Sequence, residues 1–195
     1  MKKVNVRKIV VTAMMSAISA VLMFLEFSVP FMPSFIKFDL SDLPALVSSF
    51  SMGPLWGTLV CLLKNVIKGI IGTNTAWVGE LANFLLGAVF VIPAGLIYSR
   101  SKSRRSALIG SLAGALSSAV ISLPINYFIT YPIYQKFMPI DEIVRMYQAI
   151  FGGVNSLIEC LAVFNVPFTF IKCAVAAVIT FLIYKRISPI IKGTR

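Results

Sequence analysis

Six ionisable side chains interrupt the apolar stretches of this sequence and are its first candidates for chemistry. A charge inside lipid is costly unless it has a partner or a ligand, so such residues mark functional sites. Lys172 has at least ten largely apolar residues on either side and needs a counter-charge or a bound molecule. Glu26 and Lys68 fall near predicted helix ends, where their charges can reach the headgroups. The six residues are Glu26, Lys64, Lys68, Glu80, Glu159 and Lys172.

Side-chain amides accompany these charges. Asn83 stands three residues after Glu80, so the two share one face of a helix. A single Asn often serves as a hydrogen bond between membrane helices. A group of amides at one depth, however, describes a pocket better than scattered helix contacts do. The other members of the group are Asn65, Asn126 and Asn165, with Tyr127 and Thr169 beside them.

Aromatic residues, among them Phe38, Trp77 and Tyr127, concentrate toward the same side of the predicted membrane protein. Some fit an interfacial aromatic belt. The rest suit the faces of a planar ligand.

Enzymatic chemistry is disfavoured. The chain has no histidine, which removes the commonest general base and metal ligand. It lacks a P-loop, so we do not expect the chain itself to hydrolyse ATP. Asp39 and Asp42 form a possible metal pair, but we interpret them as helix caps and turn formers. The three cysteines have no metal or disulfide spacing. We therefore expect that the chain is not an enzyme and that it binds no metal and no cofactor.

The elements that must position these residues are membrane helices. The 195 residues are 58% hydrophobic and 13% charged, with mean hydropathy +0.89, far more apolar than soluble domains. We predict an all-α polytopic protein, one domain over residues 1–195. Asp141, Glu142 and Arg145 indicate a short surface helix between the last two spans. The six predicted spans are about 9–27, 42–52, 55–71, 76–98, 107–129 and 161–184.

The basic residues predict the orientation. Three clusters contain four basic residues each and no acidic residue, and with six spans they fall on one side. Positive loops stay in the cytoplasm, which places both termini there. The net charge of +11 therefore reflects topology in a cell membrane, and we expect lipid rather than nucleic acid as the surrounding partner. The clusters are Lys2, Lys3, Arg7, Lys8; Arg100, Lys102, Arg104, Arg105; and Lys185, Arg186, Lys192, Arg195.

Small residues four apart on the first helix, Ala13 and Ala17, make a shallow strip where another helix can approach. The strip packs either inside the monomer or against a partner. A comparable face on the fifth span contains Gly110, Gly114 and Ser118.

Taken together, these features resemble the S-components of energy-coupling-factor (ECF) vitamin transporters, and in particular the riboflavin-specific member. The resemblance rests on the AxxxA strip and on stretches spread from about residue 13 to 172. These stretches are FLEFSVPFMPSFIKFDLSDLPAL, GPLWGTLVCLLKN, GELANFLLG, INYFITYPIY and VPFTFIK. One departure is Thr169, which stands where the family pattern tends to have Asn.

The resemblance implies a subunit that captures riboflavin at the outer face and docks on a transmembrane coupling protein with two ATPases. Glu80, Asn126 and Lys172 would then bind the vitamin, and Ala13 and Ala17 would meet the coupling protein. The loop from Lys37 to Ala45, with Phe38, Asp39 and Leu40, would help cover the ligand. The full predicted binding set adds Asn83, Asn165, Thr169, Tyr127 and Trp77.

Flavin chemistry suits this set, since an amide offers a donor and an acceptor to the ring edge while Lys donates to a carbonyl. Glu80 could neutralise Lys172 when the site is empty. Two alternatives stay open: an S-component for thiamin or folate, and a self-sufficient proton-coupled transporter with Glu80 as the proton carrier.

Overall fold

The computed structural model describes residues 6–73 and 75–192, almost all of them in helices. Five of the described helical stretches are long and apolar enough to cross a membrane: Val6–Phe24, Pro54–Gly72, Val78–Ser101, Arg104–Tyr134 and Leu157–Tyr184. Lys2, Lys3 and Arg195, parts of two predicted basic clusters, lie outside the described residues. The helices are α1 Val6–Phe24, α2 Asp42–Met52, α3 Pro54–Gly72, α4 Val78–Ser101, α5 Arg104–Ile125, α6 Tyr131–Tyr134, α7 Ile140–Gln148, α8 Leu157–Cys160 and α9 Val166–Lys192.

The second predicted span is a short helix. With 11 residues, α2 is about 16 Å long, roughly half of the hydrocarbon thickness. It ends at Gly53, whose φ of 110° suits glycine, and Pro54 starts α3 at a position where its missing N–H is not needed. The six-span count and the cytoplasmic termini therefore stay predictions.

The position of α2 along α4 shapes the bundle. Asp42, at the start of α2, comes close to Gly87, because a side chain at Gly87 would meet its carboxylate at 3.2 Å. Near the other end of α2, the ring of Phe50 lies 4.7 Å from that of Tyr98. Thus α2 runs beside the second half of α4, and residues of the first half, such as Gly79 and Asn83, line cavities instead.

The glycines of α5 serve internal packing. A Cβ at Gly110 or Gly114 would lie 2.7 Å or 2.3 Å from a backbone oxygen of α4. This face of the fifth helix therefore packs inside the monomer, where it lets α4 and α5 approach closely.

Two π-helices connect the last two spans to the short helices α6 and α8, which pass the predicted span ends. Asn126–Thr130 joins α5 to α6, and Leu161–Asn165 joins α8 to α9. A π-helix adds a residue to a turn and often occurs at a functional site.

One end of the bundle carries two further elements, and we call it the loop end. Residues 25–41 form a loop that contains two short antiparallel strands of two residues each, β1 Phe27–Ser28 and β2 Lys37–Phe38. Helix α7 lies between α6 and α8 and buries Ile143 and Tyr147, which confirms the predicted short helix.

Candidate functional site

A cavity of about 170 Å³ lies between α4 and the last two spans at the loop end. Its wall residues recur one or two helical turns apart, because one face of each helix points inward. Phe35 to Lys37 of the loop lie over it, and Asp42 lies at its base. Besides Tyr131 and Tyr134, the polar side chains of the helical wall are Asn83, Ser118, Asn126, Thr130, Asn165, Thr169 and Lys172.

A second cavity of about 220 Å³ adjoins the first and is lined by Glu80 and Asp39. The two share Phe35, Lys37, Gly79, Asn83 and Tyr134. Together they reach the range of about 300–1,000 Å³ that small-molecule sites occupy. The volume, the aromatic cover and the few polar groups are those of a site for a small organic molecule.

The π-helices position two of the amides. Asn126 is the first residue of one π-helix, and Asn165 is the last residue of the other. Both are buried, at 7% and 8% exposure, yet both face the cavity. Among the described residues, no hydrogen bond to the carboxamide of Asn126 is found. This amide is available to a ligand.

Lys172 pairs with the loop. Its Nζ lies 2.8 Å from Oδ2 of Asp39 and 3.9 Å from Oδ2 of Asp42. The Nζ of Lys64, midway along α3, lies 2.5 Å from Oδ1 of Asp42 and 2.6 Å from Oγ of Ser41. Two lysines and two aspartates thus form one buried network at the base of the first cavity.

Electrostatics keep Asp39 ionised. Burial alone raises the pKa of its carboxyl, but the ammonium groups of Lys172 and Lys64 and hydrogen bonds from Lys172 and Ser41 outweigh burial. The pKa of Asp39 is therefore below its ordinary value.

The interpretation of Asp42 as a helix cap is wrong, whereas Asp39 does form a turn. Ser41, rather than Asp42, precedes α2 as its N-cap residue, and no side-chain capping bond is present there. Asp39 does accept a turn hydrogen bond from the Ser41 N–H at 2.8 Å, but it is also the counter-charge of Lys172.

Glu80 does not neutralise Lys172. Its Oε2 accepts hydrogen bonds from the hydroxyls of Thr73 at 3.0 Å and Thr75 at 2.8 Å. The carboxylate is held in the second cavity by neutral donors, so it still has capacity to accept from a ligand.

A second ion-pair group fixes the loop. The carboxylate of Glu26 lies 2.5 Å from Nζ of Lys68 on α3 and 3.1 Å from Nζ of Lys37 on β2. Lys68 is buried, so an ion pair replaces the expected reach to the headgroups. Glu159, predicted within the membrane, is exposed where α8 begins and accepts from the Asn155 N–H at 2.8 Å.

Four of the predicted binding residues do not line these two cavities. Trp77 is 46% exposed and packs on α3, where a side chain at Gly69 would meet its ring at 2.5 Å. Tyr127 is 38% exposed and its ring lies edge-on to that of Phe128. Phe38 contacts the cavity residue Phe168 from outside, with ring centroids 6.2 Å apart. The fourth is Leu40, half-buried in the loop.

Several lining residues were not predicted. Tyr134 lies two helical turns beyond Asn126 on the same wall, a spacing that could have identified it. Phe35 comes from an irregular loop, whose fold over the bundle has no periodic signal in the sequence. Lys37, in the same loop, begins the segment that only the family resemblance predicted as a cover.

The small-residue strip of α1 faces outward. Ala13 and Ala17 are exposed, while Thr12, Ser16 and Ser19 bury the opposite face against the bundle. Packing inside the monomer does not use this strip.

A bundle of membrane helices that encloses a polar and aromatic cavity at one end is a substrate-binding component of a membrane transporter. The chain belongs to the family of ECF transporter substrate-specific components, whose sequence model matches residues 7–184.

Curated relatives cover nearly the whole chain. It is 31% identical over 186 residues to the riboflavin transporter RibU of Staphylococcus aureus (strain TCH60), with 95% of this chain and 93% of that protein covered. It is also 31% identical over 195 residues to the riboflavin transporter FmnP of Bacillus subtilis (strain 168), with 98% and 97% covered. A solved structure of the S component of a bacterial ECF transporter superposes with a TM-score of 0.76 at 29% identity, over 97% of this chain and 99% of that one. The predicted family and fold class are thereby confirmed.

Proposed function

We propose that this chain binds riboflavin in the joined cavities and delivers it across the cell membrane as the substrate-specific subunit of an ATP-driven ECF transporter. The observation that carries the proposal is the convergence of Asn126, Asn165 and Lys172, from two different spans, on one cavity. Relatives over the full length are named riboflavin transporters.

The chemistry of the wall suits a flavin. The ring system is a flat apolar plate with carbonyls and ring nitrogens along one edge, and amide and ammonium donors match those acceptors. Phe35, Tyr134 and Phe168 offer aromatic faces to the plate. Glu80, in the second cavity, would accept from a ribityl hydroxyl.

A cationic vitamin such as thiamin is less well served. Glu26, Asp39 and Asp42 each already face a lysine, which leaves Glu80 alone, among the carboxylates that line the two cavities, to meet a cation. Folate, with its carboxylates, would instead need cations that these same aspartates occupy.

Titration of the purified protein with riboflavin tests the ligand. Stoichiometric quenching of flavin emission is expected at micromolar concentration, without competition from thiamin or folate. Unchanged emission, or displacement by thiamin, would contradict the assignment.

Energy is expected from partners. We propose that Ala13 and Ala17, exposed on α1, dock on the transmembrane coupling protein that two ATPases drive. Proteoliposomes that contain this chain alone should not accumulate riboflavin, whereas those with the coupling protein, the ATPases and ATP should. Accumulation by the isolated chain in a proton gradient would support a self-sufficient transporter instead.

A further inference from the structure

Tyr147 is a buried hydroxyl on α7, outside the cavity wall, that reaches a wall residue. Its side chain is fully buried, with its ring 5.1 Å from that of Phe164 and edge-on to Phe35 of the loop at 6.0 Å. Its hydroxyl lies 2.7 Å from Oδ1 of Asn165 and 2.6 Å from the hydroxyl of Tyr131. Tyr147 therefore connects the surface helix to an amide of the proposed ligand site.

The protons of this group can be assigned by counting donors. The single hydroxyl proton of Tyr147 is donated to Oδ1 of Asn165, so the short contact between the tyrosines requires Tyr131 to donate to Tyr147. The Tyr131 oxygen then accepts from Nδ2 of Asn165 at 3.5 Å, which closes a ring of three side chains. Burial raises the pKa of Tyr147, so its hydroxyl keeps this proton at all ordinary pH values.

The ring leaves one amide proton of Asn165 unused. Its carbonyl oxygen accepts from Tyr147 with one of its two lone pairs and one amide proton points to Tyr131, so the second amide proton remains for the cavity that Asn165 lines. An isolated Asn could present either its oxygen or its nitrogen to a ligand. Here the orientation is set from behind, by a residue that does not line the cavity.

We propose that Tyr147 is a positioning residue that holds Asn165 as a hydrogen-bond donor toward the ligand and so makes the site select an acceptor at that edge. This inference rests on the proposed riboflavin function and names the residue that determines one part of its specificity. A ligand with an N–H in place of that acceptor would bring its own donor against the amide proton of Asn165, and no hydrogen bond could form between them.

A double-mutant cycle on riboflavin binding separates positioning from general stability. Tyr147→Phe keeps the ring packing but removes the hydroxyl, and we expect riboflavin affinity to fall about 3- to 10-fold. In an Asn165→Ala background, Tyr147→Phe is expected to have no further effect on affinity, since the amide that it orients is gone. Tyr98→Phe is the matched control, because Tyr98 is a buried tyrosine whose ring lies edge-on to that of Tyr184 at 5.6 Å and which does not line either cavity, and it should leave affinity unchanged.

Asn165→Asp gives a second line of evidence. The carboxylate still accepts from Tyr147 but has no amide proton, so its riboflavin affinity should be as low as that of Asn165→Ala. Wild-type affinity in Asn165→Asp, or equal losses from Tyr147→Phe in both backgrounds, would overturn the inference.

Melting of the same four cycle proteins without ligand distinguishes failure of this inference from failure of the proposed function. The shifts in melting temperature from Tyr147→Phe and Asn165→Ala should be strongly non-additive, because each substitution removes the same hydrogen bond between Tyr147 and Asn165. A wild-type chain that does not bind riboflavin would overturn the proposed function alone, since the melting cycle still decides whether Tyr147 holds Asn165. Additive melting shifts would overturn the inference.

Discussion

The ammonium of Lys172 lies 2.8 Å from a carboxylate oxygen of Asp39, which joins the middle of the last span to a loop residue 133 positions earlier. The pair belongs to a buried network that also contains Asp42 and Lys64. Lys172 therefore has a structural partner as well as a place in the cavity wall, and the two roles can be separated by mutation.

Lys172→Met should lower the free energy of unfolding by about 3–5 kcal/mol, because it leaves Asp39 buried without its nearest counter-charge. Adding Asp39→Asn should recover most of this loss, since the new amide carries no charge. Riboflavin affinity should stay low in both proteins if Lys172 donates to the flavin. Thermal melts and riboflavin titrations of the two variants measure the two effects, and full affinity in the double variant would exclude the ligand contact.

Asn126→Ala should weaken riboflavin binding by about 1 kcal/mol while leaving the melting temperature of the ligand-free protein nearly unchanged. The reason is that its carboxamide faces the cavity and no bond to it is found among the described residues. Calorimetric titration measures the affinity. A large fall in melting temperature with unchanged affinity would assign Asn126 to packing.

Ala13→Trp should leave riboflavin binding intact and abolish ATP-driven uptake, because the residue is exposed on α1 and a large ring there would block a closely packed partner helix. Val120→Trp is the matched control, since Val120 is 65% exposed on α5, away from the strip. Uptake of radiolabelled riboflavin by the reconstituted complex checks both. Equal losses in both variants would indicate that bulk at any exposed position disturbs the protein.

The site should respond little to pH between about 5 and 8, since the chain has no histidine. The folded pKa of Asp39 lies below its unfolded value, so its ion pair contributes stability above the unfolded pKa and loses it as pH falls toward the folded one. Melting temperature and affinity are expected to be flat in that range and to fall only below about pH 4. A step in melting temperature or affinity near neutral pH would contradict this expectation.

Periodicity and charge predicted much of the architecture. The long apolar segments identified the long helices. The amides Asn126 and Asn165, which the sequence places at a similar depth on two spans, line the same cavity. The cost of a charge in lipid singled out Lys172 correctly as a residue that needs a partner.

The partner itself could not be read from the sequence. Asp39 lies near the end of the irregular loop 25–41, and nothing in the local sequence indicates that this loop reaches the middle of the last span. The π-helices were missed for a similar reason, because one added residue in a turn leaves no compositional mark. Tyr147 was invisible as well, since its importance arises only when α7 folds back on the second π-helix.

The shortness of α2 has a consequence for how the bilayer is filled. Asp42, its first residue, lines the first cavity, so this cavity and the loop over it lie where a full-length helix would continue. A bound vitamin would occupy that position, next to the N-terminal end of the half-length helix α2. In this protein the cargo would thus substitute for the missing half of a membrane-spanning segment.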